Sequence, residues 1–289
     1  MAFEVHHPDS VEQAIRLAGE LGPDASFLAG GTDLIIQINR KRRAPRHLIA
    51  LGGIDGLSGI EQRDGEIVLG ALTTHKAIER CAQFDGGLAA LAEAARVVGG
   101  HQVRNVATIG GNVVNASPAA DLLPPLLALD AAAVLAGSRG TRRVPIAQFL
   151  RGPGSTDRAE DEILLRIAFP CLAEGAATAF IKAGRRRAME ISVVSVATVL
   201  ELDDNRCCRT ARIALGAVGP VAMRVPGAEL VLQGHEPTEA AFSEAGRLAA
   251  DACTPISDVR ASAEYRRMLI QALVPRALRR CLQRIEARS

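Results

Sequence analysis

The sequence is poor in aromatic residues: of 289 residues none is Trp, one is Tyr (Tyr265) and seven are Phe. A core must therefore come from Ala, Leu, Val and Ile, and the stacking platforms that single-stranded nucleic acids need are missing. Charge of one sign is also lacking. The formal net charge is +2, unlike the strongly basic face of a dedicated nucleic-acid binder, so no nucleic-acid partner is expected. No run of about 18 apolar residues could serve as a membrane span. The nearest, Leu122 to Leu135, is interrupted by Pro124, Pro125 and Asp130. Met1–Pro8 holds no basic region followed by an apolar run, so no secretory signal is expected and a cytoplasmic protein is.

Motif absences narrow the chemistry. The six cysteines (Cys81, Cys171, Cys207, Cys208, Cys253, Cys281) form no C-x-x-C pair and read as reduced thiols. An iron–sulfur cluster needs four organised cysteines, so any such centre must sit on another protein. The histidines (His6, His7, His47, His75, His101, His235) show no metal-ligand spacing and read as surface or core residues. No G-x-S-x-G, G-x-G-x-x-G or G-x-x-x-x-G-K-[ST] pattern occurs, which speaks against a hydrolase, a Rossmann site and a P-loop. No catalytic residue and no metal ligand is assigned. The runs Arg40–Arg43 and Arg185–Arg187 read as solvated faces or partner contacts.

What the chain does have is two glycine-pair motifs: Leu28-Ala29-Gly30-Gly31-Thr32-Asp33-Leu34 and Thr108-Ile109-Gly110-Gly111-Asn112. Glycine lets the backbone approach a ligand closely, and successive N–H groups in such a turn make an anion-binding concavity. A helix starting after the loop adds its N-terminal partial charge. Thr32, Thr108, Asn112, Asn115 and Ser117 add polar side chains, and Asp121 an acceptor for a ribose or ring N–H. Two such loops far apart in sequence predict one long anionic ligand gripped at two points, a dinucleotide diphosphate.

Patterning predicts three parts. In residues 1–55, Ser10 with Gln13, or Asp9 with Glu12, caps a helix ended by Gly22-Pro23. A strand Ala25–Ala29, a helix Leu34–Ile38 capped by Thr32 or Asp33, and a strand His47–Leu51 complete a small α/β lobe. Residues 56–172 are expected to hold strands at Glu66–Leu69, Ala132–Leu135 and Glu162–Phe169. Helices are expected at His75–Cys81, Leu88–Val98 and Asp121–Ala128, with a loop at Arg151–Asp157. Residues 173–289 read as strands Ala177–Lys182, Val193–Leu202 and Ala211–Val218, then helices Thr238–Ala252 and Ser262–Gln283, the second interrupted at Pro275. That order predicts an α+β layer, a sheet covered by helices on one face.

The two motifs, the lead-in Val103-Arg104-Asn105-Val106-Ala107, and Ala116-Ser117-Pro118-Ala119-Ala120-Asp121-Leu122-Leu123-Pro124 closely resemble the FAD-binding medium subunit of molybdenum hydroxylases. That family includes the flavin subunits of carbon monoxide dehydrogenase and the flavin domain of xanthine dehydrogenase. Phe180-Ile181-Lys182-Ala183-Gly184-Arg185-Arg186 and Asp258–Arg266 resemble its later segments, so the likeness covers nearly the whole chain. It implies an α+β fold: a two-lobed, vanillyl-alcohol-oxidase-like (PCMH-type) FAD-binding domain followed by a C-terminal α+β domain. It implies FAD contacts at Leu28, Ala29, Gly30, Gly31, Thr32, Asp33 and Leu34 from one lobe. From the other it implies contacts at Thr108, Ile109, Gly110, Gly111, Asn112, Val114 and Asn115. Val98, Gly99, His101, Ala120, Asp121, Ile163, Leu164 and Lys182 match further cofactor positions. Lys182, near the pyrimidine end of the ring, would stabilise negative charge on the reduced flavin.

Two departures stand out. Val98 occupies the place where xanthine dehydrogenases put a ring-stacking aromatic, and the cysteine-bearing insertion of the hydroxybenzoyl-CoA reductase branch is absent. The resemblance implies an electron-transfer role between a molybdopterin-binding large subunit with a two-cluster 2Fe-2S small subunit and an external acceptor: NAD, a quinone or oxygen. The expected assembly is a dimer of heterotrimers. The alternatives are a self-contained FAD oxidoreductase of the same fold and a non-catalytic nucleotide-binding subunit.

Overall fold

The computed structural model describes residues 3–186 and 189–288; Arg187 of the second arginine run lies outside them. The first lobe runs β1 (Glu4–His6), α1 (Val11–Leu21), β2 (Ala25–Leu28), α2 (Leu34–Asn39) and β3 (His47–Ala50), a parallel sheet of order β1-β3-β2. Ser10 Oγ accepts the Gln13 N–H while Gln13 Oε1 accepts the Asp9 N–H, the reciprocal cap that sets the start of α1. Asp33 stands at the N-cap of α2 but makes no side-chain cap bond. Ala14 and Ala18 of α1 pack on Ile49, Leu51 and Ile54.

The second lobe runs β4 (Ile60–Arg63), β5 (Glu66–Gly70), α3 (His75–Glu79), α4 (Ala89–Arg96), α5 (His101–Val106), α6 (Ile109–Asn115) and α7 (Leu123–Ala128). It continues with β6 (Ala132–Gly137), β7 (Gly140–Pro145), α8 (Ile146–Phe149), a small hairpin β8 (Leu150–Gly152) and β9 (Ser155–Thr156), and β10 (Ile163–Pro170). The sheet order is β4-β5-β10-β6-β7, antiparallel throughout. Two sequence expectations change here. The stretch Arg151–Asp157 is mostly hairpin rather than loop. Gly110-Gly111 lies inside α6, whose N-cap Thr108 accepts the Gly111 N–H; the cap overrides the low helix propensity of two glycines.

The third part holds β11 (Ala176–Ala183), β12 (Val194–Leu202), β13 (Cys208–Gly216) and β14 (Met223–Arg224), an antiparallel sheet in that order, then α9 (Pro226–Leu230), α10 (Glu239–Asp251) and α11 (Ala263–Glu286). Helices cover both faces of this sheet, not one. Ala179, Val196, Leu200 and Ile213 pack with Phe242, Ile270 and Val274 of α10 and α11. Phe180, Ala197, Val199 and Ala214 join Leu91 and Leu126 of the second lobe. Both strand faces are therefore apolar, which hides the period-2 pattern. Pro275 does not interrupt α11. Proline removes the N–H that would bond the carbonyl four residues back, and a Cβ at Gly246 would stand 2.7 Å from that carbonyl, Gln271 O, and 2.9 Å from Pro275 Cδ. Only glycine lets α10 approach here. Among the described residues no helix is long and apolar enough to cross a membrane.

Candidate functional site

The fold brings the two glycine motifs into contact. A Cβ on Gly30 would fall on the carbonyl oxygen of Val106 and 2.6 Å from its carbonyl carbon, so the first motif backs directly onto the lead-in of the second. Gly110 seats α6 in the same way: its N–H donates to Ala71 O at 2.8 Å, and a Cβ there would lie 2.6 Å from that oxygen. These two glycines are spent on packing.

The motifs are not equivalent. Among the described residues, the main-chain N–H groups of Gly31, Thr32, Asp33 and Leu34 find no acceptor in the chain. They are the free donors of a first helical turn; Gly31, at φ +70°, turns the chain into it. In the second motif the amides of Ile109 to Asn112 are all taken. Ile109 N–H donates to Thr73 O, Gly110 to Ala71 O, Gly111 to Thr108 Oγ and Asn112 to Thr108 O. The second motif therefore offers a helix face without side chain at Gly111, which is exposed, and the buried Asn112 Oδ1, which has no hydrogen-bond partner. In place of the symmetrical pair of amide cradles expected from sequence, the first motif offers a row of free amides and the second a bare helix surface.

A cleft of about 330 Å³ separates the lobes. Of the residues singled out from sequence, Ala29, Gly110, Gly111, Val114, Ile163 and Leu164 line it. Its remaining walls are mostly apolar, with Phe27, Ile49 and Leu72 among them. Two cations that the sequence reading missed also line it, Arg43 and Arg158. Arg43, read from sequence as part of a solvated face or partner contact, donates to Ser26 Oγ at 3.4 Å. Arg158 lies 5.6 Å from the centroid of the Phe27 ring, and its guanidinium donates to the carbonyls of Ala159 and Glu162. Burial pulls the Arg158 pKa below its ordinary value, and Arg43 adds to this. Neither arginine carries a sequence signature for this cleft; only the fold gathers them. Leu28, Gly30 to Leu34, Thr108, Ile109, Asn112 and Asn115 do not line this cleft, though Asn115 Oδ1 accepts from Gln37 Nε2 of α2 at 3.5 Å.

Lys182 lines a second hollow of about 460 Å³ with Val97, Gly184, Arg185, Met189 and Glu190. Its ammonium donates to Asp121 Oδ2 at 2.7 Å and to Val97 O at 3.2 Å. The other Asp121 oxygen accepts from Ser192, so both carboxylate oxygens are engaged within the chain. Burial raises the Asp121 pKa against the opposing pull of Lys182 and Ser192. Ala120 is buried beside it. Val98 and Gly99 accept from the Arg104 guanidinium through their carbonyls, and His101 Nδ1 is 3.1 Å from Arg104. A Cβ at the intervening Gly100 would lie 3.5 Å from Met189 Sδ, so this segment borders the second hollow. The cysteines are dispersed, and burial pushes the thiols of Cys208, Cys253 and Cys281 up to about 12.

Residues 1–172 match the family described as the FAD binding domain in molybdopterin dehydrogenase, and residues 179–281 match the CO dehydrogenase flavoprotein C-terminal domain. The chain is 34% identical over 276 residues to the carbon monoxide dehydrogenase medium chain of Hydrogenophaga pseudoflava, covering 96% of each. It is 34% identical over 275 residues to a putative xanthine dehydrogenase FAD-binding subunit of Escherichia coli (strain K12), covering 94% of each. The solved carbon monoxide dehydrogenase of Hydrogenophaga pseudoflava lacking the Mo-pyranopterin moiety superposes with a TM-score of 0.94 at 34% identity, covering 98% of both chains.

Proposed function

The chain belongs to the family of FAD-binding subunits of the molybdopterin dehydrogenases, and from that premise we propose that it is the electron-transfer subunit of a cytoplasmic molybdenum hydroxylase complex. On this reading the chain docks a large subunit carrying the molybdenum cofactor and a small subunit carrying two 2Fe-2S clusters, as a dimer of heterotrimers. It passes their electrons to an external acceptor: a nicotinamide, a quinone or oxygen. FAD, when bound, supplies a centre that accepts electrons singly and releases them in pairs.

The residues present fit that cofactor. The observation that carries the reading is the row of unengaged amides at Gly31 to Leu34. They would donate to the diphosphate, at about 1.5–3 kcal/mol for each bond to a charged group. Gly111 admits the ligand to α6, and Asn112 Oδ1 is an acceptor awaiting a donor. The apolar walls and Arg43 and Arg158 would hold the adenosine half against solvent. Lys182, held by Asp121, would present its charge to the ring from the second hollow. Val98 would leave the ring without an aromatic cover.

The test is the purified chain alone and with its partners. One FAD per chain and negligible dehydrogenation of organic substrates by the chain alone are expected, with turnover restored by the partner subunits. Turnover by the isolated chain would favour a self-contained oxidoreductase.

A further inference from the structure

We propose that Glu4, His6 and His47 form a site for one late first-row divalent cation of the zinc class, on the outer edge of the first lobe. The site is built by the sheet. Glu4 and His47 are register partners in adjacent parallel strands. His6 is two residues beyond Glu4, so alternation sets all three side chains on one face. His6 Nε2 lies 3.1 Å from His47 Nδ1. Glu4 Oε2 lies 3.4 Å from His47 Nδ1 and 4.0 Å from His6 Nε2.

Those separations are the ones a shared ion requires. Ligand atoms bonded at about 2.0–2.1 Å to a tetrahedral ion stand about 3.3–3.4 Å from one another, so the three donors need move only by tenths of an ångström. Of two ring nitrogens 3.1 Å apart only one can donate to the other, whereas a cation takes a lone pair from each and from the carboxylate. No neighbouring cation competes for the carboxylate among the described residues: Arg46, next to His47 in sequence, pairs with Asp24 at 3.8 Å, and Glu4 faces only the two imidazoles. Two imidazoles and one carboxylate are the donor set of zinc and its neighbours, not of magnesium or calcium. The rings are 20% and 25% exposed and Glu4 is 67% exposed, which leaves a fourth position to water.

The site is structural. It ties β1 to the central strand β3, and β3 in turn pairs with β2, whose Ala25, Ser26 and Phe27 line the cofactor cleft. It lies outside that cleft and does not depend on which electron acceptor the protein uses.

The test uses the full chain with FAD bound, freed of metal and titrated with Co²⁺ or Zn²⁺ alone. One equivalent of Co²⁺ is expected to give the visible d–d absorption of a low-coordinate site, to be displaced by Zn²⁺, and to raise Tm. His6→Ala and Glu4→Gln should each weaken binding by about tenfold or more, while FAD content and the metal-free Tm stay at wild-type values. His7→Ala should bind as wild type. Absence of saturable one-equivalent binding overturns the proposal, as does binding that survives both His6→Ala and Glu4→Gln or is lost equally in His7→Ala; the imidazoles are then only a hydrogen-bonded pair.

Discussion

Replacing Gly111 by alanine separates what the fold needs from what the ligand needs. In the unliganded chain an added Cβ meets only Thr108 Oγ, at 3.1 Å. Alanine in a helix is better than glycine by about 0.8–1 kcal/mol, which offsets that tight contact. Stability without FAD should thus change by less than about 1 kcal/mol. The same methyl enters the surface against which the dinucleotide is proposed to lie. Forcing one methyl into a fitted contact costs about 1–3 kcal/mol, or roughly 5- to 150-fold in Kd. Gly30→Ala is the contrasting variant, because its Cβ would collide with the rigid backbone of Val106 and should destabilise the chain with or without FAD. Fluorescence titration of FAD into the deflavo chain measures the affinity, and urea unfolding without FAD the stability. Wild-type affinity in Gly111→Ala, or unliganded destabilisation as large as that of Gly30→Ala, would refute the placement.

Other outcomes follow from the same geometry. Lys182→Met removes one partner of a largely buried ion pair, so unfolding free energy should fall by as much as about 3–5 kcal/mol. The reduction potential of bound FAD should fall by about 30 mV or more, equivalent to about 1.4 kcal/mol for a two-electron couple; an unchanged potential rejects the role assigned to Lys182. Burial of His75, with the Arg104 charge adding to it, lowers its pKa from 6.5 to about 4. Between those values the folded chain binds fewer protons than the unfolded one. This contribution is therefore complete above about pH 6.5 and is lost on acidification toward pH 4, about 3 kcal/mol in all. His75→Gln should remove that part of the slope of stability against pH, and an unaltered slope contradicts the assignment. Thr108→Ala should cost about 1 kcal/mol by urea unfolding, since it deletes the cap of α6; no loss would show that the cap is redundant.

Local chemistry made part of this molecule legible in the sequence. The Ser10–Gln13 cap, the cap of α3 by Thr74, whose Oγ1 accepts the Ala77 N–H, and the glycine pairs each act within a few residues, so their signals survive without knowledge of the fold. The strands β4 and β7 escaped notice because they are sheet edges: Glu61-Gln62-Arg63 and Thr141-Arg142-Arg143 carry the charge that edges tolerate. The helical setting of Gly110-Gly111 escaped because a side-chain cap outweighs propensity there. Arg43, Arg158 and the trio Glu4, His6 and His47 are brought together only by pairing across the sheet or across the cleft, over 41 residues in the case of the two histidines. Spacing along the chain holds no trace of that.

A structure of the chain loaded with FAD tests the central claim most directly. The account predicts diphosphate oxygens at about 2.7–3.2 Å from the amide nitrogens of Gly31 to Leu34, with the Gly111 face of α6 against the same group. A diphosphate seated elsewhere, with those amides turned to solvent, would contradict it.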